Sequence, residues 1–471
     1  MDATERTLKL INEQGKDLDS EIIKDLIDGH ASDRNRMINL YERYKGSRDG
    51  LPILRRVFED KNKINRQLPN DYFSEIVDIK AGYFAGEPIS YGLDKEAYRI
   101  GEQLTVKHEE HGEVIRKFVQ RNNLADLDSE AAKLAGICGY VGRLCYIDRD
   151  GGERVMNTYP WESIFVTDGS INEPQYGMRY YKVEIKPYPN SEWVERWRVE
   201  WYDEKNVTFY IENNNGDFVL DESESNNPLS HGFTDVPFIG FPNNEEQQGD
   251  AEKVLYLIDA FDRSMSDMNS EVEQFRLAYL AFYGVEVDQE TLDRMRQTGA
   301  IGFPDKDGKA EFVAKNLMSE PIEAHLNRIE NNIYRFSKTP NFTDEAFAGS
   351  QSGEARKYKM LPLENKCVVT ENKFKKGLQQ MFKIISTAWN KRAIPIDYLN
   401  IEFTFTRNFP LDLLYEAEVS EKLRGQVSEH TRFTLLSFIP DPDAEQTRME
   451  HEQLVDLDQF GGGDDEPVEE S

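Results

Sequence analysis

The chain is poor in the features that mark secreted, membrane and catalytic proteins. It has three cysteines, Cys138, Cys145 and Cys367, with neither metal-ligand spacing nor an even-numbered disulfide framework. They read as buried thiols of a reducing cytoplasm. No apolar run is long enough to cross a bilayer, and residues 1–14 are charged and lack the apolar centre of a secretion signal. Neither membrane insertion nor secretion is expected. No phosphate-binding loop, Gly-x-Ser-x-Gly elbow or His-Glu-x-x-His is present, and nothing argues for an enzyme, a metal or a cofactor. His108 and His111 lie beside Glu109 and Glu110 without further ligands, so a solvated acidic face is the simpler reading. Asp305-Lys-Asp-Gly308 has the look of a calcium loop's opening, but its glycine comes too early and no closing Glu follows, so a hairpin turn is expected. Basic residues are also in deficit, 57 Lys and Arg against 87 Asp and Glu, for a formal net charge of −30. A general nucleic-acid binder is excluded, because phosphate affinity comes mainly from Lys and Arg displacing counterions. Contact with DNA is left open only where low friction is wanted.

What the chain does have is a long stripe. Val254, Ile258, Phe261, Met265, Met268, Val272, Phe275, Tyr279 and Phe282 recur at alternating four- and three-residue steps. A 3.5-residue period keeps one line of side chains facing neighbouring helices, so the spacing predicts a helix over residues 250–284. Its outer face, Asp259, Asp262, Arg263, Ser266, Asp267 and Glu273, is polar. A second stripe, Ile322, Leu326, Ile329, Ile333 and Phe336, opens with Pro321 at the favoured first-turn position. The two helices pair as a hairpin with a small insert, residues 285–320, at its tip. Spacing alone leaves open an internal pair within one domain and a stalk packed against copies of itself.

Elsewhere the pattern alternates by blocks. Two amphipathic helices separated by Gly29 are expected over residues 21–45, a helix over 70–84 and helices over 109–138. The period then changes to two, predicting strands at 141–147, 155–159, 163–167, 175–185, 193–202 and 207–212 in an antiparallel meander. Its aromatics Trp161, Trp193, Trp197, Trp201, Tyr180 and Tyr181 read as packing. In the insert, strands at 285–287, 300–303 and 311–314 flank a helix over 288–297. A long helix over 354–392 is expected to kink at Pro362, a strand over 401–406 to return to the β-rich body, and a helical module to occupy 411–436. The fold class is α+β, and the Gly-rich acidic end is expected to be flexible.

Three stretches carry a resemblance to a family. They are Tyr83-Phe-Ala-Gly-Glu-Pro-Ile-Ser-Tyr91, Pro242-Asn-Asn-Glu-Glu-Gln-Gln-Gly-Asp-Ala-Glu-Lys-Val254, and above all Thr339-Pro-Asn-Phe-Thr-Asp-Glu-Ala-Phe-Ala-Gly-Ser-Gln-Ser-Gly353 with the Glu-Ala-Arg-Lys-Tyr-Lys359 that follows. In order and spacing the chain resembles tailed-bacteriophage portal proteins of the SPP1 type over residues 22–442. The resemblance implies a portal fold: N-terminal region and β-rich wing (1–235), stem (236–283 and 321–338), small α/β clip (284–320), tunnel loop (339–353), kinked spine helix with return strand (354–410), helical crown (411–453) and acidic tail (454–471). It implies a ring, usually a dodecamer, at one capsid vertex of the virion, assembled in the host cytoplasm. The ring is the channel for double-stranded DNA during packaging and ejection.

Partners implied are the terminase large-subunit ATPase, a head–tail adaptor, and the major capsid and scaffolding proteins. Stem contacts fall on Phe261, Met265, Met268, Val272, Phe275, Ile329 and Ile333. Channel contacts fall on Asn341, Phe342, Thr343, Gly349, Gln351 and Ser352 of the tunnel loop, with Arg335, Lys338, Arg356 and Lys357 around it. Clip contacts fall on Asp288, Arg294, Arg296, Lys306 and Lys309. Without the resemblance, the residues equally allow an oligomeric coiled-coil scaffold or adaptor with no DNA channel. A nuclease built on the abundant carboxylates has no specific pair to point to.

Overall fold

The computed structural model describes residues 2–59, 64–100, 103–167, 174–186, 192–275, 279–283, 309–313, 319–342, 353–408 and 413–436, with 288–290, 293, 298, 439, 445–446 and 448–449. The fold is α+β. The chain forms two units, Met1–Asn341 with Leu361–Asn408, and Phe342–Met360 with Phe409–Ser471.

The first unit begins with α1 (Ala3–Leu8) and α2 (Ser20–Tyr44), capped by Asp2 and Asp19, whose carboxylates accept from the Glu5 and Ile22 amides at 2.8 and 3.0 Å. One helix therefore replaces the two expected around Gly29. A Cβ there would lie 2.6 Å from that of Ala3. The glycine admits α1 against α2, at the modest cost of about 1 kcal/mol within a helix. Next come α3 (Tyr72–Ala85), β1 (Ser90–Leu93), β2 (Arg99–Ile100), β3 (Gln103–Leu104), α4 (Val106–Asn122) and α5 (Leu124–Cys138). Asn123, left-handed at φ 47°, separates the last two.

The strands that follow are β4 (Tyr140–Ile147), β5 (Glu153–Thr158), β6 (Ser163–Val166), β7 (Tyr176–Ile185), β8 (Val194–Tyr202), β9 (Asn206–Glu212), β10 (Phe218–Leu220), β11 (Leu229–Ser230) and β12 (Phe238–Pro242). They are not one meander. A six-stranded sheet has the order β10-β9-β8-β7-β6 with β11 also on β9, and a three-stranded sheet has the order β12-β4-β5. A 3₁₀ turn at Pro160–Glu162 turns the chain from one sheet into the other. The sheets approach where a Cβ on Gly177 of β7 would meet the Phe238 ring of β12 at 2.6 Å. Helices α1 and α2 cover the larger sheet through Leu8, Ile22, Ile23 and Leu26 against Ile164, Met178, Tyr180 and Val199. Tyr180 and Trp201 pack as expected, but Trp193 does not: it is 63% exposed beneath the Lys186 ammonium.

The helix predicted to reach Gly284 is shorter. It is α6 (Leu255–Phe275), and β13 (Tyr279–Tyr283) then pairs antiparallel with β14 (Lys309–Val313), Tyr279 opposite Val313. The 3.5-residue stripe continues across Tyr279 and Phe282, yet Tyr-Leu-Ala-Phe-Tyr suits a pleated ladder, and pairing overrides the helical spacing. Of the other insert strands expected, 285–287 and 300–303 lie outside the described residues. α7 (Ser319–Ser337) returns, followed by α8 (Gly353–Lys391), a single helix that runs through Pro362. The return strand β15 (Ile401–Thr404) pairs with β1 in a sheet of its own, not with the larger sheets. α8 buries Phe374, Leu378, Met381, Phe382, Ile385 and Trp389, with Phe374 between Phe84 and Phe241.

The second unit contains α9 (Leu413–Lys422) and α10 (Glu429–Thr434). Ser428 caps α10, accepting from the Thr431 amide at 3.2 Å, and Phe433 is buried.

One buried ion pair ties helices to sheet. Arg143 on β4 is fully buried, donates to Asp128 of α5 at 2.7 Å, to Asn157 at 3.0 Å and to the Leu127 carbonyl at 3.2 Å, and lies over the Phe241 ring. The Tyr91 hydroxyl donates to the same carboxylate. Replacing Arg143 with Ala leaves Asp128 buried without its cation, so a loss of about 3–5 kcal/mol is expected in urea unfolding.

Candidate functional site

The hairpin α6–α7 is the site's frame, and a buried polar cluster holds its base. Asp250, five residues before α6, has a side chain only 1% exposed, and its carboxylate accepts from the Lys80 and Lys366 ammonium groups, each at 3.0 Å. The Asn243 amide donates to the same oxygen at 3.0 Å, while Lys80 also donates to Asn243. Lys366 reaches further, to the Asp250 and Ser337 carbonyls, both at 3.2 Å. Its single ammonium thus joins the residue leading into α6 to the last residue of α7. Thr370, one turn along α8, donates to the Asn243 carbonyl at 3.1 Å. Gly136 of α5 has no room for a side chain because its Cβ would sit 2.7 Å from the Asp250 carboxylate, and its carbonyl accepts from the Asp250 amide at 2.6 Å.

Burial opposes the charge on Asp250, but Lys366, Lys80 and the Asn243 hydrogen bond outweigh it and hold the carboxyl below its ordinary value. Burial pulls Lys80 down, with Asp250 opposing.

Two faces of α6 are covered by different means. On the apolar face Val254, Ile258 and Phe261 pack with Leu326, Ile329 and Ile333 of α7 and with Phe73, Ile76 and Val77 of α3. Tyr72 stands edge-on to both Phe261 and Tyr334. The polar outer face is covered in part, with Arg263 and Asp267 exposed. Asp262, Ser266 and Ser270 are buried under the extended residues 64–70. The amides of Asn70, Leu68 and Arg66 donate in turn to Asp262 (2.9 Å), Ser266 (2.9 Å) and Ser270 (3.0 Å). Alternate residues of an extended chain advance about 6.6 Å and four residues of a helix about 6.0 Å, so a ladder of amides matches a ladder of side chains. Arg56 pairs with Asp267, Arg66 with Glu273 and Arg43 with Asp259. Each hydrogen bond contributes about 0.5–1.5 kcal/mol and each ion pair near the surface about 0–1.

The expected stem residues divide accordingly. Phe261, Ile329 and Ile333 are buried inside one protomer, Met265 and Met268 are partly buried against the same core, and Val272 is 45% exposed. Phe275 ends α6, its side chain outside the described residues. Within the protomer this seam packs on α3 and α7. Of the channel residues, Arg335 and Lys338 are exposed, Asn341 is half-buried and Phe342 is 48% exposed. Lys338 at φ 61° ends α7 in the left-handed conformation, and the Thr339 amide bonds the Tyr334 carbonyl at 3.1 Å. Arg356 and Lys357 fall in the opening turns of α8, their side chains outside the described residues; so do Thr343, Gly349, Gln351 and Ser352 altogether. In the clip, Asp288 is exposed and Lys309 begins β14, while Arg294, Arg296 and Lys306 lie outside the described residues. His111 bonds the Tyr98 hydroxyl at 2.9 Å, and no group of metal-binding side chains occurs among the described residues.

Sequence reasoning missed the base cluster. Its signal was Lys80, a lysine at a core position of α3 between Val77 and Phe84. Because folding lowers the Asp250 pKa, its charge stabilises the protein above the unfolded carboxyl value, near pH 4, and that contribution is lost as pH falls through the folded value. Asp250→Asn is expected to cost about 3–5 kcal/mol at neutral pH by stranding two ammonium groups. The deficit should narrow below about pH 4, which urea unfolding across a pH series measures.

Comparison with known proteins places this frame. Residues 23–454 match the family described as phage portal protein, SPP1 Gp6-like. The chain is 25% identical to the portal protein of Bacillus phage SPP1, over 98% of this chain and 94% of that one. It is 23% identical to the portal protein of Clostridium phage phiCD119, over 87% and 90% respectively. With nearly its whole length matched, the chain belongs to the SPP1 Gp6-like family of phage portal proteins.

Proposed function

We propose that the protein forms a ring, dodecameric in the virion, at one capsid vertex, and that double-stranded DNA is packaged and ejected through its axial channel. The observation that carries this reading is the hairpin α6–α7 in a chain of this family. It is fixed at its base by Lys366, finished at the other end by β13 and β14, and leaves Glu323, Asn327, Arg328, Asn331 and Arg335 of α7 uncovered in the protomer. In the proposed ring this hairpin is the stem and 284–320 the clip, whose Asp288, Arg294, Arg296, Lys306 and Lys309 meet the terminase ATPase and later the head–tail adaptor. Residues 339–353 are the tunnel loop, where Asn341, Thr343, Gln351 and Ser352 offer neutral polar contacts to the DNA backbone. Residues 1–235 with 354–410 are the wing, set against the major capsid and scaffolding proteins, and 411–453 the crown.

The charge of the chain suits this role. A polyanion must slide in both directions, and a wall of mixed or negative charge keeps counterion release small. The exposed cations Arg335 and Lys338 bear on phosphates transiently.

Because Phe261 packs inside the protomer, Phe261→Asp is expected to unfold the hairpin and says little about the ring. Val272, exposed on α6, is the better probe. Val272→Asp is expected to leave the thermal transition within about 0.5 kcal/mol of the parent while shifting large assemblies toward single subunits in native mass spectrometry. Unchanged large assemblies would remove Val272 from the subunit contact.

A further inference from the structure

The strap on α6 has a property that the portal reading does not supply. Among the described residues of 56–70 none is buried, and Val57 is 84% exposed. The segment holds to α6 through the three amide hydrogen bonds of Arg66, Leu68 and Asn70, the Asn70 side-chain amide on Asp262 at 2.9 Å, and the ion pairs of Arg56 and Arg66. Arg56 and Asn65 bond each other, and Gln67 donates to the Arg56 carbonyl. Both its ends are pinned in the core, by Ile53 on one side and Phe73 on the other.

We propose that residues 64–70 are a releasable strap, able to leave the polar face of α6 while the apolar face stays packed. Release exposes hydroxyls and carboxylates, which water solvates, with the half-buried Ile64 and Leu68 but no fully buried core; the opposing terms are the polar contacts and that limited apolar surface. The hairpin keeps Ile258 and Phe261 against α3 and α7 throughout. The exposed Arg66–Glu273 pair, with the outward Asp267 carboxylate on Arg56, makes engagement depend on ionic strength, since salt screens charges at the surface far more than within a core. Asp262 fits the same account. It has one carboxylate oxygen bonded to Asn70 and the other without a partner, a state that hydration on release relieves. The strap is therefore a local unit of low stability laid over a helix of high stability. Its opening uncovers Asp262, Ser266, Asp267, Ser270 and Glu273 as one continuous acidic and hydroxylic face of α6.

The proposal is independent of the ring, because strap and helix belong to one protomer. Hydrogen–deuterium exchange on the full-length protein tests it, comparing the parent with Ser266→Ala/Ser270→Ala, and comparing the parent in about 0.1 M and about 1 M NaCl. Peptides covering residues 64–70 are expected to exchange about tenfold faster in the double variant or in high salt, with peptides holding Val77, Ile258 and Phe261 unchanged. Selective acceleration under either perturbation supports the strap. Unchanged strap rates under both, or acceleration shared by α3 and α6, overturns it, because residues 64–70 would then be inseparable from the core.

Discussion

The Asp250 carboxylate between Lys80 and Lys366 is the constraint on which the rest of the structure depends. Through Lys366 it reaches the end of α7, and through Lys80 and Asn243 it reaches α3 and the exit of β12. Taking charges out of water is costly, and such a cluster adds little to stability against a well-packed apolar alternative. What it supplies is direction: three elements are compelled to meet at one point, because a misplaced partner strands a charge. The cluster fixes the base of the α6–α7 hairpin.

The two sides of α6 show how one helix divides its work. Its apolar side is permanent, because separating Ile258 and Phe261 from α3 and α7 exposes core. Its polar side is conditional, held by hydrogen bonds and ion pairs that each contribute little against the entropy of ordering the strap. In a chain with a formal net charge of −30, Arg43, Arg56 and Arg66 are spent on Asp259, Asp267 and Glu273 of this one helix. Part of the acidic excess of the molecule is thereby neutralised along α6.

Much of the architecture was legible because its periods are clean. The strands from Tyr140 to Glu212 lie within two residues of their predicted limits, since alternation with period two is a local property. Their division into two sheets was not legible: it turns on Gly177 admitting Phe238, a contact between residues far apart in sequence. The heptad stripe correctly gave the apolar face of α6 but not its end, because Tyr279 and Phe282 satisfy helix and strand patterns alike. The same stripe could not say whether its partner was another subunit or the protomer's own α3 and α7. Gly29 read as a break, and is instead a close approach to Ala3. The polar face of α6 read as solvent-facing because polarity alone does not distinguish water from a strap of backbone amides. The base cluster left one trace, Lys80 among core residues, and its partners, more than 160 positions away, left none.

The central claim is that copies of this protomer surround a channel for DNA. Electron microscopy of the purified full-length protein tests it most directly. The account requires rings with an axial opening wide enough for B-form DNA, the hairpin α6–α7 standing around that opening. A monomer or compact dimer, or a closed assembly with no axial opening, would contradict it.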